Sequence, residues 1–502
     1  ILGNLLLIYT VFLNGEQYKR TPKISGKLNI QVMNNILKNF SLLTTAHIVE
    51  KIITFVLIII LARYLGVEGY GIYALALSFI GLLSQLFDGG LNCLLMRETA
   101  QGVVNRQRLL GQVLIGKVIM GVAVILGIVC LAIVLAYPED ALYSIIIYGV
   151  AMLVLSFANT FRAVFIALER AEFEGLLLIL NRFLLLGGVI FCVVLDIKIP
   201  KIMVAYLVSG LIVLWLGSYL CKKIFYSPSW DVDYKSIKGL FKEAMPFAVG
   251  TMMAEIFFNI DNVMISKMVG LESVGYYNAS YKLSYSCVLF ANTMTLAIYP
   301  FLSKNWLEDK DKVFIVFGKL FKILVILSMA FTLTVAILAN NIIMIVFGKQ
   351  FEESVVLLQI LVFTLPPLYL VHLTNRTLDA IGEQRFKANT MIVSVIINIV
   401  LNFILIYKLK AIGASIATVV TCILIVAVHI IYLRRKMKFP RIEVSFIKTP
   451  ICLIGMVAVV LSLKDYNWIM AGFTGLAVYC GLLFLLKVLK REDIMLLTKK
   501  TV

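Results

Sequence analysis

Apolar runs of about twenty residues recur along almost the whole chain, separated by short polar stretches. A run of that length matches the ~30 Å hydrocarbon core of a bilayer. Backbone polar groups find no water there, so such runs fold as helices that satisfy them internally. The pattern predicts spans at about 42–61, 72–96, 109–136, 142–166, 175–195, 202–221, 244–266, 277–302, 315–339, 355–380, 388–407, 411–433, 446–463 and 468–486. The longest polar stretches lie near 222–243, 303–314 and 434–448, and none is long enough to fold as an ATPase or a catalytic ectodomain. The expected class is therefore an all-α integral membrane protein of about 14 transmembrane helices.

Residues 1–32 stand apart. Residues 1–13 are apolar but too short to span, and Lys19, Arg20, Lys23 and Lys27 follow. Met33 opens the stretch that runs into the first full span. Residues 1–32 are expected to be a non-native or disordered extension, with a short signal-like segment as the alternative.

Composition agrees with the pattern. The chain has 502 residues, 61% hydrophobic and 15% charged, and its mean hydropathy is +0.98. A soluble chain carries about 45–50% apolar and about 25% charged residues. The net charge of +18 suggests nucleic acid only until its placement is read. With a cytoplasmic N-terminus, the cytoplasmic loops and tail hold about 25 Lys and Arg and the opposite side about 8. The bias predicts both ends inside and an even number of spans, and the expected location is the cytoplasmic (inner) membrane. The charge is thus topological, and no nucleic-acid partner is expected. The eight cysteines form no C-x-x-C pair and read as apolar packing residues, so no metal site is expected.

An internal echo divides the chain. Residues 65–74 (LGVEGYGIYA) and 269–279 (VGLESVGYYNA) align at a shift of 204, matching Gly66 with Gly270, Glu68 with Glu272, Gly71 with Gly275 and Tyr73 with Tyr277. Arg162 and Glu169 have the spacing of Arg376 and Glu383, now at a shift of 214, which places an insertion near 347–354. Six spans per repeat give the halves one orientation, a known transporter plan with a site between them. The expected organisation is an N-lobe at 33–224, a C-lobe at 225–440, a central cleft, and two further helices with a cytoplasmic tail at 441–502.

Ionisable residues within spans cost about 2.5–3.5 kcal/mol each on the mild insertion scale, so they are expected to pair or to face a cavity. In the first span His47, Glu50, Lys51 and Thr54 share one face, and in the seventh Glu255, Asn259, Asn262 and Ser266 do so, with Asp261 beside them. Candidate cations for an anionic substrate are Lys51, Lys117, Arg162, Arg182, Lys282 and Arg376. The bland alternatives are pairing with Glu50, Asp88, Glu255, Asp261 or Asp379, or snorkelling at helix ends. Glu255, Asn259, Asp261, Asp88 and Asp379 are candidates for binding a coupling Na⁺ or H⁺. No other cofactor is expected. His47, His372 and His429 read as packing residues. Pro246 is expected to open span seven, and Pro366-Pro367 to interrupt span ten. Residues 111–118 (GQVLIGKV) imitate a P-loop, but no Ser or Thr follows Lys117 and the motif lies inside an apolar helix, so it is rejected.

Residues 63–73 (RYLGVEGYGIY) resemble the R-x-L-G-x-x-x-Y/F-G-x-Y signature that follows the first helix of polysaccharide-biosynthesis membrane proteins. These are lipid-linked oligosaccharide flippases of O-antigen-unit-translocase type, in the multidrug/oligosaccharidyl-lipid/polysaccharide exporter superfamily. The echo at 269–279 and the run AIGASIA at 411–417 fit the same resemblance, which covers about residues 33–490. It implies two six-helix lobes around a cleft faced by helices one and seven. It implies alternating-access transfer of a prenyl-diphosphate-linked oligosaccharide for surface polysaccharide or glycoprotein glycan synthesis, alongside other glycan-assembly proteins. It implies that basic cleft residues engage the diphosphate or acidic sugars, with Lys51, Lys117, Arg182 and Lys282 placed there by depth and charge. A cation-coupled multidrug antiporter of the same superfamily would want an acidic cleft. A membrane glycan polymerase or ligase would want a large outward loop, and a channel fits the repeat less well.

Overall fold

The computed structural model describes residues 26–102, 105–230, 234–437 and 444–489. It is α-helical, with no strand among the described residues. Residues 1–25 of the expected extension lie outside them, and helix is already formed at Gly26. The chain separates into two compact units, Ile1–Ile260 and Asp261–Val502, and the division falls inside one helix, Tyr234–Met268.

The first unit contains α1 (Gly26–Asp88), α2 (Leu91–Gln101), α3 (Arg106–Val134), α4 (Glu139–Ala167), α5 (Ala171–Val194), α6 (Met203–Ile224) and the start of α7 (Tyr234–Met268). Helix α1 breaks at Gly66, with φ 69° and ψ −176°, a conformation that glycine reaches without steric cost. Gly89 and Gly90 end α1 with φ +56° and +81°, so the expected single span at 72–96 is two helices. Asn105 caps α3, its Oδ1 accepting from the N–H groups of Gln107 and Arg108. Apolar surface gains little from helix pairing in lipid, so close packing has to supply the attraction. Gly217 supplies it here, because a Cβ at that position would sit 3.4 Å from Phe161 Cβ, and α6 thereby lies tight against α4. Around this contact Leu110, Val113, Val164, Phe165 and Leu177 form a buried apolar cluster.

The second unit contains the end of α7, then α8 (Leu271–Ser286), α9 (Val288–Glu308), α10 (Lys310–Val346), α11 (Ser354–Leu361), α12 (Leu365–Ala380), α13 (Gln384–Lys436), α14 (Thr449–Leu463) and α15 (Trp468–Leu485). Gly270 joins α7 to α8 with φ 135°, so the matched pair Gly66 and Gly270 of the sequence echo both hold positive φ at a break between helical segments. The polar stretch at 303–314 is almost wholly helical, and only Asp309 separates α9 from α10. Asp309 caps α10 by accepting from the Lys312 N–H at 3.2 Å, and that bond holds its carboxyl below the usual carboxylate range. A 3₁₀ turn at Lys349–Phe351 occupies the place of the expected insertion.

Pro366 and Pro367 stand in the first turn of α12 after a second 3₁₀ turn, Val362–Thr364, where a missing N–H costs nothing. Position 246, by contrast, is interior to α7, which begins at Tyr234 rather than at the proline. Helix α13 breaks at Lys410, with φ 53° and ψ −136°. Gly413 follows because a Cβ there would lie 2.1 Å from the Leu405 carbonyl oxygen. Helices α14 and α15 pack on α10 through Cys452, Met456, Val460 and Leu483, and the Tyr479 hydroxyl donates to the Ile326 carbonyl at 3.1 Å.

Among the described residues ten helical stretches are long and apolar enough to cross a membrane. Helix α13 is one of the ten despite its break, and α1 and α7 are not among them.

Candidate functional site

Three of the candidate cations are held by carboxylates within the first unit. Lys117 on α3 has no exposed side-chain surface and pairs with Asp88 Oδ1 at 2.9 Å, where α1 ends. Its ammonium also donates to Asn92 Oδ1, Ser156 Oγ and the Ser156 carbonyl. One lysine thus ties together the broken end of α1, the start of α2 and the middle of α4. The P-loop look-alike dissolves at the same place: Gly111 and Gly116 are close-packing positions, and Lys117 is a buried tether.

Arg162 on α4 donates twice to Glu174 on α5, at 2.6 and 2.9 Å, and once to Asn159. Arg182 on α5 donates from Nε and Nη2 to Glu50 Oε1 on α1, at 3.2 and 2.7 Å. His47 lies 3.4 Å from the other oxygen of Glu50. The face proposed for the first span therefore divides, because Glu50 is buried while Lys51, one residue on, is exposed. The Tyr73 and Tyr206 hydroxyls are 2.7 Å apart. Glu255 on α7 accepts from Asn259 at 3.1 Å.

The second unit carries a different chemistry. Asp261, near the end of α7, is 3% exposed and accepts three hydrogen bonds. Tyr277 of α8 donates at 2.5 Å, Thr418 of α13 at 2.8 Å, and Asn402 of α13 at 2.6 Å. Asn402 also donates to Asn398 Oδ1 at 3.0 Å. Both asparagines and Thr418 are buried, and the Asn402 Oδ1 has no hydrogen-bond partner. The two segments of α13 on either side of Lys410 thus converge on one carboxylate. Among the described residues no group of three or more His, Cys, Asp or Glu could hold a metal ion, so any ion here would rest on one carboxylate plus amide and hydroxyl oxygens.

The remaining candidates are scattered. Lys282 is exposed on α8. Arg376 Nη2 lies 3.5 Å from Asn292 Oδ1. Asp379 pairs with Lys387, and Glu383 with Lys436 at 2.8 Å. Asn398, Asn402 and Thr418 were not singled out from the sequence, and Tyr277 appeared there only as a position of the internal echo. The signal was available, since Asn398 and Asn402 are four apart in an otherwise apolar run.

Similarity to known proteins extends over most of the chain. It is 22% identical to the probable low-salt glycan biosynthesis flippase Agl15 of Haloferax volcanii, over 74% of this chain and 78% of that protein. It is 25% identical to a putative O-antigen transporter of Shigella dysenteriae, over 78% of this chain and 98% of that protein. Against an uncharacterized membrane protein of Methanocaldococcus jannaschii, 24% identical, the chain spans only 54% of the relative's length. The fold matches the lipid II flippase MurJ with a TM-score of 0.74 at 16% identity, covering 88% of this chain and 97% of that one. The MatE family matches residues 246–404. The polysaccharide biosynthesis protein family matches residues 36–306, more than half of the sequence, and the chain belongs to that family.

Proposed function

We propose that the protein is a flippase that moves a prenyl-diphosphate-linked oligosaccharide across the cytoplasmic membrane by alternating access. The observation that carries this reading is similarity along about three quarters of the chain to a protein named a glycan biosynthesis flippase. In this reading the chain crosses the membrane fourteen times with both ends cytoplasmic. The ten apolar stretches, the break of α13 at Lys410, the break of α1 at Gly66, and α7 together support that count.

Transport against a gradient needs a coupled ion, and the Asp261 cluster has the right chemistry for Na⁺. A hard cation wants oxygen ligands. Asp261, Thr418 and the Asn398 and Asn402 amides offer them on converging segments, and the orphaned Asn402 Oδ1 is a ligand in waiting. Exchange of the Asn402 amide ends would present that oxygen and remove a donor from Asp261.

The test is reconstitution in proteoliposomes with a fluorescent prenyl-diphosphate oligosaccharide, read by lectin or quencher accessibility. The expected result is time-dependent transfer between leaflets, accelerated by a Na⁺ gradient. Absence of transfer, with uptake of an organic cation instead, would convert the reading to a multidrug antiporter. Transfer insensitive to Na⁺ but driven by a proton gradient would retain the flippase and overturn the Na⁺ assignment.

A further inference from the structure

The first unit contains a groove of about 620 Å³ whose residues take no part in the charge pairs described above. That volume is within the ~300–1,000 Å³ range of small-molecule sites. Its apolar walls come from α3 (Leu114, Val118), α4 (Phe157) and α6 (Trp215). Tyr226, Ser227, Pro228 and Trp230 also line it, on the stretch that turns back across the start of α3 after α6 ends. The Ser229 N–H donates to the Gln107 carbonyl at 2.9 Å and fixes that return. Gly111 permits it, because a Cβ there would fall 1.9 Å from the Ser229 carbonyl oxygen. The groove is therefore a built feature of the backbone.

Its chemistry is one-sided. Lys222 is the single charged residue in the lining, and no Asp or Glu joins it. Lys222 is exposed and makes no ion pair or hydrogen bond among the described residues, whereas the adjacent Lys223 lies 3.2 Å from the Tyr219 hydroxyl and over its ring. Trp215 and Tyr219 stack at 5.9 Å, and Trp230, also in the lining, is 66% exposed. Trp, Tyr and Lys together mark the headgroup level of a bilayer. Beyond the lining, one and two turns on from Val118 along α3, Val122 and Leu126 are 55% and 65% exposed, an apolar surface an acyl chain would follow. A soluble anion would have no use for that track.

We propose that this groove binds an anionic phospholipid of the surrounding bilayer, with its phosphate at Lys222 beside the Trp215–Tyr219 pair and an acyl chain along α3. The occupant is a resident lipid rather than the transported one.

The chain has four tryptophans, and two of them, Trp215 and Trp230, line the groove. Full-length protein with Trp306→Phe and Trp468→Phe is placed in phosphatidylcholine nanodiscs containing brominated phosphatidylglycerol or brominated phosphatidylcholine. Brominated phosphatidylglycerol is expected to quench the remaining fluorescence with about fivefold higher apparent affinity, the effect of one lysine at a charged interface. Lys222→Gln is expected to abolish the preference. Ile115→Phe, which fills the groove and keeps the charge, is expected to weaken quenching by brominated phosphatidylglycerol. Equal quenching by the two lipids, or a preference that survives Lys222→Gln in folded protein, would overturn the proposal. So would relief of quenching by inorganic phosphate, which would make the site a plain anion site, or by an equal fraction of polyprenyl phosphate, which would assign the groove to transported lipid.

Discussion

Asn402 gives its amide hydrogen to Asp261 at 2.6 Å while its own carbonyl oxygen stays buried without a hydrogen-bond partner. A buried acceptor left unpaired costs about 1–3 kcal/mol. The arrangement is thus satisfied on the carboxylate side and unsatisfied on the amide side. A small cation among these oxygens reverses that imbalance, and a purely structural cluster gains nothing from one.

Asp261→Asn keeps the volume and the bonds with Tyr277 and Thr418 but removes the charge. If the cluster binds Na⁺, the loss of a charge-assisted contact of ~2 kcal/mol lowers apparent Na⁺ affinity about 30-fold. Thr418→Val should give a smaller loss in the same direction. Na⁺ titration of transport, or of thermal stability in detergent, checks both. A wild-type melting temperature indifferent to Na⁺ would remove the site.

Lys117 offers a test of stability rather than transport. Removing one partner of a buried pair costs about 3–5 kcal/mol, because the survivor stays charged in a poor solvent. Lys117→Met and Asp88→Asn should therefore each destabilise the first unit. The double variant should lose much less than the sum, since neither charge is then stranded. Asp88 is partly exposed, which relieves it when alone, so Lys117→Met should be the milder single change. Additive losses in unfolding measurements would mean that the pair does not act as one.

Span positions were legible in the sequence because bilayer thickness imposes a length that any apolar run displays. The glycine echo was legible too, since Gly66 and Gly270 hold positive φ at matching places. Pairing was not. Glu50 and Arg182 are separated by 132 positions, and only packing of α1 on α5 joins them. Periodicity put Lys51 on the same face as Glu50, but a step of about 100° per residue separates neighbours on a helix, which leaves one buried and the other exposed. The Asp261 partners were hidden because hydroxyl and amide side chains in spans look like tolerated polarity until two segments of α13 bring them to one carboxylate.

The cap on α10 gives a pH dependence with a definite sign. The Asp309 carboxyl is held below its ordinary value by the Lys312 N–H, so its contribution is present above the unfolded-state pKa and is lost as pH falls through the folded one. Amide exchange at residues 310–313, corrected for intrinsic rate, should accelerate on acidification in the wild type. Asp309→Asn keeps a capping oxygen that does not titrate, and should lose most of that dependence. Identical acid responses in the two proteins would show that the cap does not control this helix end.

Arg182 is where structural and transport roles can be separated. Its guanidinium holds Glu50 through two donors, yet its side chain remains about 29% exposed, so a donor face is still open to a phosphate. Arg182→Ala should lower stability by stranding Glu50 and should also impair glycan transfer. Arg182→Met combined with Glu50→Gln removes the stranded charge and should recover most of the stability. If Arg182 also engages the diphosphate, transfer stays low in this recovered protein. Lys51→Ala, at an exposed position, should reduce transfer while leaving the melting temperature unchanged. Full transfer in both the recovered double variant and Lys51→Ala would withdraw these two residues from the substrate path and leave Arg182 a tether of α5 to α1.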